Sequence, residues 1–99
     1  MRLLPIPIRP LQTAGPLQFA MAPTVVREGQ FRLFFFSREE NRIHIHVAHP
    51  DGEAKFWLTP DVHLAVNVGL SPVQVRQAQA VVEAHILEIK DAWNRHFGS

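Results

Sequence analysis

The stretch Arg42-Ile43-His44-Ile45-His46-Val47-Ala48-His49-Pro50-Asp51-Gly52-Glu53-Ala54-Lys55-Phe56-Trp57-Leu58 decides the fold. Ile43 to Val47 alternates apolar residues with histidine, and a second alternating run covers Glu53 to Leu58. A period of two belongs to strands, whose successive side chains point to opposite sides. Between the runs, His49-Pro50-Asp51-Gly52 supplies turn residues: proline presets φ, and Asp and Gly accept tight backbone conformations. Alternation, turn, alternation is an antiparallel hairpin.

Working outward, Thr24 to Val26 and Gln30 to Phe36 flank Arg27-Glu28-Gly29, a second hairpin signal because Gly29 tolerates positive φ. Ser37 to Asn41 is polar and reads as a turn. Beyond the central hairpin, Pro60 and Asp61 interrupt the chain, and Val62, Leu64, Val66 and Val68 resume the period of two up to Gly69. Ser71-Pro72-Val73-Gln74 then reads as a helix start. Ser71 accepts from N–H groups left free in the first turn, Pro72 suits the first helical position, and Gln74 completes a capping box. Val75, Ala78, Val82, Ile86, Ile89, Trp93 and Phe97 follow at steps of three or four, one apolar stripe ending at the stop residue Gly98. The expected class is α+β: a small antiparallel sheet of four to five strands, with one long C-terminal helix packed across one face.

The 99 residues, 46% hydrophobic and 19% charged, suit a single packed core and exclude a two-domain enzyme. A formal charge of +1 argues against a cation that coats duplexes or a polybasic membrane binder. With no cysteine there is no disulfide framework, zinc–thiolate site or Cys nucleophile, and cytoplasm is the expected compartment. No run approaches the roughly 18 to 20 apolar residues of a membrane span. Residues 1–21 read as a flexible Pro-rich extension, with Pro5, Pro7 and Pro10 interrupting any signal-peptide helix, and 22–99 as the single α+β domain.

Alternation assigns Phe31, Leu33, Phe35, Ile43, Ile45, Val47, Ala54, Phe56, Leu58, Val62, Leu64, Val66 and Val68 to the core face. The opposite face receives Arg32, Phe34, Phe36, Arg42, His44, His46, Lys55, Trp57, His63, Ala65 and Asn67, with no carboxylate among them. Such a mixture of cations, histidines and aromatics fits a binding surface. Rings stack on bases while Arg, Lys and His meet phosphate, or the apolar part meets a protein. The expected binding residues are Arg32, Phe34, Phe36, Arg42, Lys55, Trp57 and His63. A bland reading stands beside it, in which Phe34, Phe36 and Trp57 fill a second small core.

His44-Ile45-His46 puts two imidazoles on one side of a strand about 6.5 to 7 Å apart. As a catalytic pair, His44 and His46 would supply general base and general acid for metal-independent RNA cleavage, with nearby cations stabilising phosphorane charge. As a metal site, His44, His46 and His63 would hold a divalent ion, although no carboxylate completes a mixed ligand set. No cofactor is implied. His85, at the border of the helix stripe, reads as a satisfied core-edge residue. His96 suits the helix C-terminus, and Asp91 with Arg95 forms a favourable i, i+4 pair.

At Pro23-Thr24-Val25-Val26, Phe31 to Ser37, His44-Ile45-His46-Val47, Ala54-Lys55-Phe56-Trp57-Leu58 and Trp93-Asn94, the chain resembles a family of small bacterial proteins, domain of unknown function 4160. The resemblance covers about residues 22 to 98. The family commonly carries two prolines before His-Ile-His, where this chain has Asn41 and Arg42, so a stiffened turn is lost. The resemblance implies a gene encoded beside another small domain, in arrangements like toxin–antitoxin pairs, and implies no established activity. More faintly, the chain is similar to small mRNA-cleaving toxins that place a His on a three-stranded sheet. The expected function is a binding module of such a two-gene system. It would engage a small protein encoded by a neighbouring gene, or RNA, and a homodimer is a further expected partnership.

Overall fold

A computed structural model describes residues 24–36 and 41–98. The Pro-rich extension over 1–21 and residues 37–40 of the polar turn lie outside them. The elements are β1 (Thr24–Glu28), β2 (Phe31–Phe34), β3 (His44–His49), β4 (Gly52–Trp57), β5 (His63–Val68), α1 (Pro72–Ala84) and α2 (Ile86–Phe97). The strands form one antiparallel sheet in the order β1-β2-β3-β4-β5, so each pairs with its neighbour in sequence.

The central hairpin pairs His44 with Trp57, Ile45 with Phe56 and Val47 with Ala54. One face therefore collects Leu33, Ile45, Val47 and Phe56, all at 0% exposure, against Ala78 and Val82 of α1 and Ile89 of α2. Each large apolar side chain removed from water in this way contributes about 1.5–3 kcal/mol. Gly29 takes a φ of +58° in the first hairpin, as its position there requires. The helix start also forms as its residues demand. Ser71 Oγ accepts from the Gln74 N–H at 3.1 Å, and Gln74 Oε1 accepts from the Ser71 N–H at 2.8 Å. Gln74 Nε2 also donates to Asp51 Oδ2 at 2.8 Å, tying α1 to the β3–β4 turn.

Two expectations are corrected. The apolar stripe from Val75 to Phe97 belongs to two helices, separated at His85, whose φ of −115° and ψ of 21° leave the helical range. A straight helix over 72–97 would run about 39 Å, whereas five strands span only about 19 Å. The break at His85 separates α1, which packs against β5, from α2, which packs against β1 at the other edge of the sheet.

The second correction is in β5. Phe56 pairs with Leu64 but Lys55 pairs with Val66, so Ala65 is an extra residue on β5. A bulge of one residue reverses the faces of everything after it. Val66 and Val68, expected in the core, lie with Lys55 and Glu53 on the opposite face, and are 49% and 58% exposed. Asn67, expected on that opposite face, clasps the backbone instead: its amide donates to the Leu70 carbonyl at 2.9 Å and its oxygen accepts from the Leu70 N–H at 3.1 Å.

Candidate binding face

The face of the sheet opposite the core carries two groups of side chains, the second of which meets α2 through His44 and Trp93. The first is built around Trp57 on β4. The Arg42 guanidinium carbon stands 4.2 Å from its ring centroid, and Lys55 Nζ stands 4.6 Å from the same centroid. A cation over an aromatic face is attracted by the ring quadrupole, by about 0.5–1 kcal/mol where solvent reaches it. Arg42 is fixed further by donating from Nη2 to the Thr59 carbonyl at 2.9 Å. The same Nη2 stands 3.5 Å from His63 Nε2, while the Asp61 carbonyl accepts from His63 Nδ1 at 2.9 Å. Because a carbonyl only accepts, His63 carries its hydrogen on Nδ1 and offers a lone pair to Arg42. Arg42, Lys55, Trp57 and His63 thus assemble on one patch.

The second group is an aromatic cluster. Phe34 meets Phe36 edge-on at 5.2 Å and stacks with His46 at 5.5 Å, while Phe36 meets His46 at 4.6 Å. His44 lies 5.2 Å from His46, 5.8 Å from Trp57 and 5.2 Å from Trp93 of α2. His44 is 1% exposed and Phe34 1%, with His46 at 9%. Phe34 and His44 therefore lie inside a small packed cluster, at whose margin Phe36 and His46 reach a groove on this face. Arg32 covers the cluster, with its guanidinium carbon 4.5 Å from the Phe34 ring and Nε donating to Thr24 Oγ1 at 2.7 Å. Burial, and then the neighbouring Arg27 charge, lower the Arg32 pKa from its ordinary value.

The face is not free of carboxylates. Glu53 shares it with Lys55 and Trp57, opposite Val68 of β5. Phe36, His46, Lys55, Val66 and Val68 line a shallow groove there with Glu53. His44 and His46 stand side by side, whereas His49 and His63 lie elsewhere. His49, at the far end of β3, turns to the core side, lies 4.9 Å from the Phe31 ring in a tilted arrangement and accepts the Asp51 N–H at 3.1 Å. Among the described residues no group of three or more His, Asp or Glu is placed to hold a metal ion. His63, the third expected ligand, faces the Arg42 cation instead.

Sequence reading missed one polar constellation altogether. His85, at the break between the helices, has Nε2 2.9 Å from Glu28 Oε1 and Nδ1 3.0 Å from Glu88 Oε1. Carboxylates only accept, so these contacts favour the protonated ring, in which both nitrogens donate. The Glu28 bond, followed by the Glu88 bond, raises the His85 pKa above its ordinary value. Glu88 alone was legible as a helical neighbour, and nothing local announces Glu28.

Fold and face together define a small α+β protein: a five-stranded antiparallel meander backed by two helices, with cations seated on aromatic rings across the open face. The family model of the domain of unknown function (DUF4160) matches residues 30–94, and the chain belongs to that family. The match takes in β2 through most of α2, including both groups of side chains just described. No curated protein and no solved structure is significantly similar to it. Among the described residues no helix is long and apolar enough to cross a membrane.

Proposed function

We propose that this protein is a binding module of a bacterial toxin–antitoxin-like two-gene system, which engages the small protein encoded beside it, or RNA, through the open face of the sheet. The observation that carries this reading is the Arg42–Trp57–Lys55 group. Two cations are held over one ring at 4.2 and 4.6 Å, so their orientation is largely settled before a partner arrives. Pre-ordered Arg and Trp side chains lose less freedom on binding and are the types that dominate interface energetics. Their charge suits an anionic partner surface, either acidic side chains or phosphates.

The burial of His44 and His46 favours this reading over RNA cleavage by a His44/His46 acid/base pair. General acid and base must reach the substrate's reacting atoms, whereas His44 is 1% exposed and donates from Nδ1 to the Arg42 carbonyl at 2.6 Å.

The test is titration of the full chain, and of the Arg42→Ala/Lys55→Ala variant, with the purified product of the neighbouring gene and with single-stranded RNA. The expected result is saturable binding in one arm that falls at least tenfold in the variant while its circular dichroism is unchanged. Equal binding by both chains, or binding in neither arm, overturns the reading.

A further inference from the structure

We propose that β5 is the interface through which two copies of this chain join, edge to edge, into one continuous antiparallel sheet. The proposal is independent of the function proposed above and concerns the edge of the sheet.

A sheet edge presents unpaired N–H and C=O groups, and proteins that remain single protect it with charges, prolines, bulges or a covering element. The two edges of this sheet differ in that respect. Each edge strand has one register irregularity and one helix packed against it, α2 against β1 and α1 against β5, but β1 carries Arg27 and Glu28 along it. β5 pairs only with β4 among the described residues. Its bulge lies at Ala65, so Val66 to Val68 run regularly beyond it. From Val62 to Val75 the sequence has no Asp, Glu, Lys or Arg, so a second copy of the strand meets no like charge there. Leu64, Val66 and Val68 are 39%, 49% and 58% exposed, an apolar edge strand without Asp, Glu, Lys or Arg along it.

The faces of the strand select the register. In an antiparallel pair about a two-fold axis perpendicular to the sheet, directly opposed residues must lie on the same side. Pairing Val66 with Val68 of the second copy, and Val68 with its Val66, keeps all four valines on the open face. Pairing Val66 with itself would set Val68 against Leu64, which lies on the core side. Charge on β4 favours the same choice. Glu53 sits opposite Val68 and Lys55 opposite Val66, so a row across the joined sheet reads Glu53, Val68, then Val66 and Lys55 of the second copy. Each row thus ends in opposite charges, whereas the self-paired register would end the Val66 row in two lysines. In the selected register both Arg42–Trp57–Lys55 groups lie on the same side of the joined sheet.

Sedimentation velocity of the full chain over a dilution series from sub-millimolar to micromolar tests this, with circular dichroism monitoring the fold of each variant. The expected species is twice the chain mass at high concentration, dissociating on dilution. Val66→Lys and Val68→Lys, at exposed positions, each shift it to the monomer by tenfold or more in dissociation constant. The double variant Val66→Lys/Val68→Glu, which opposes unlike charges in both rows, restores the dimer. A wild-type monomer throughout the range overturns the proposal. A dimer indifferent to the single substitutions, or no recovery in the double variant, overturns it equally. Slow β5 amide exchange in the dilute monomer does so as well, because it means the edge is covered within one chain.

Discussion

His44 donates its Nδ1 hydrogen to the carbonyl of Arg42, two residues earlier, at 2.6 Å. This bond fixes the ring at the start of β3, where it meets Trp57 from the neighbouring strand and Trp93 from α2. His44 is thereby a packing residue with a defined tautomer, and the main chain it holds belongs to the cation seated on Trp57.

His44→Ala is accordingly expected to act through stability. Removing a fully buried ring leaves a cavity and an unbonded Arg42 carbonyl, a loss of about 2–4 kcal/mol. Urea denaturation checks it, and a midpoint equal to that of the wild type would contradict the packing role.

Arg42→Ala separates binding from folding. An exposed cation–aromatic contact is worth about 0.5–1 kcal/mol, so the urea midpoint is expected to move little while affinity for the partner falls. A large drop in midpoint would mean that the bond to the Thr59 carbonyl at 2.9 Å holds the loop before β5 in place.

His85 links stability to pH. Its bonds to Glu28 and Glu88 raise its folded-state pKa above the ordinary value of 6.5. A raised pKa means that the protonated ring favours the folded state. The contribution is complete below the unfolded value of about 6.5 and is lost as pH rises through the higher folded value. As pH rises from the unfolded value of about 6.5 through the higher folded value, the wild type is expected to lose stability relative to His85→Gln. Parallel pH profiles of the two midpoints would refute this.

Gly52→Ala is expected to be strongly destabilising, by more than about 2 kcal/mol. A Cβ at this position would collide with the backbone carbonyl of Val68, and backbone cannot swing aside as a flexible side chain does. Thermal melting reads the effect. Gly29→Ala is the control: a Cβ there meets no neighbour, so only the strain of its φ of +58° remains.

Ser71→Ala removes the hydroxyl that accepts from Gln74 at 3.1 Å. The expected loss is about 1 kcal/mol, read as a lower urea midpoint with an unchanged slope. An unchanged midpoint would mean that the Gln74–Asp51 bond alone fixes the helix start.

The hairpins, the helix start at Ser71 and the belonging of Arg42, Lys55 and Trp57 to one face were legible because each depends on residues close in sequence. Alternation, turn chemistry and capping are local, and the central pairing of His44 with Trp57 follows from the turn between them. Exposure on that face was not legible. Phe34 and His46 alternate as Lys55 and Trp57 do, yet the first two are closed into a cluster with Phe36. The sequence by itself thus determined the α+β class, the family and the residue types gathered on the open face. Only the tertiary structure decided where the regular patterns break. The bulge at Ala65 depends on how β5 meets β4. His85, at the break between the helices, meets Glu28, 57 residues away. A pattern in sequence records which way a side chain points along its own element. Long-range pairing and the span of the sheet decide whether that element stays straight and what covers it.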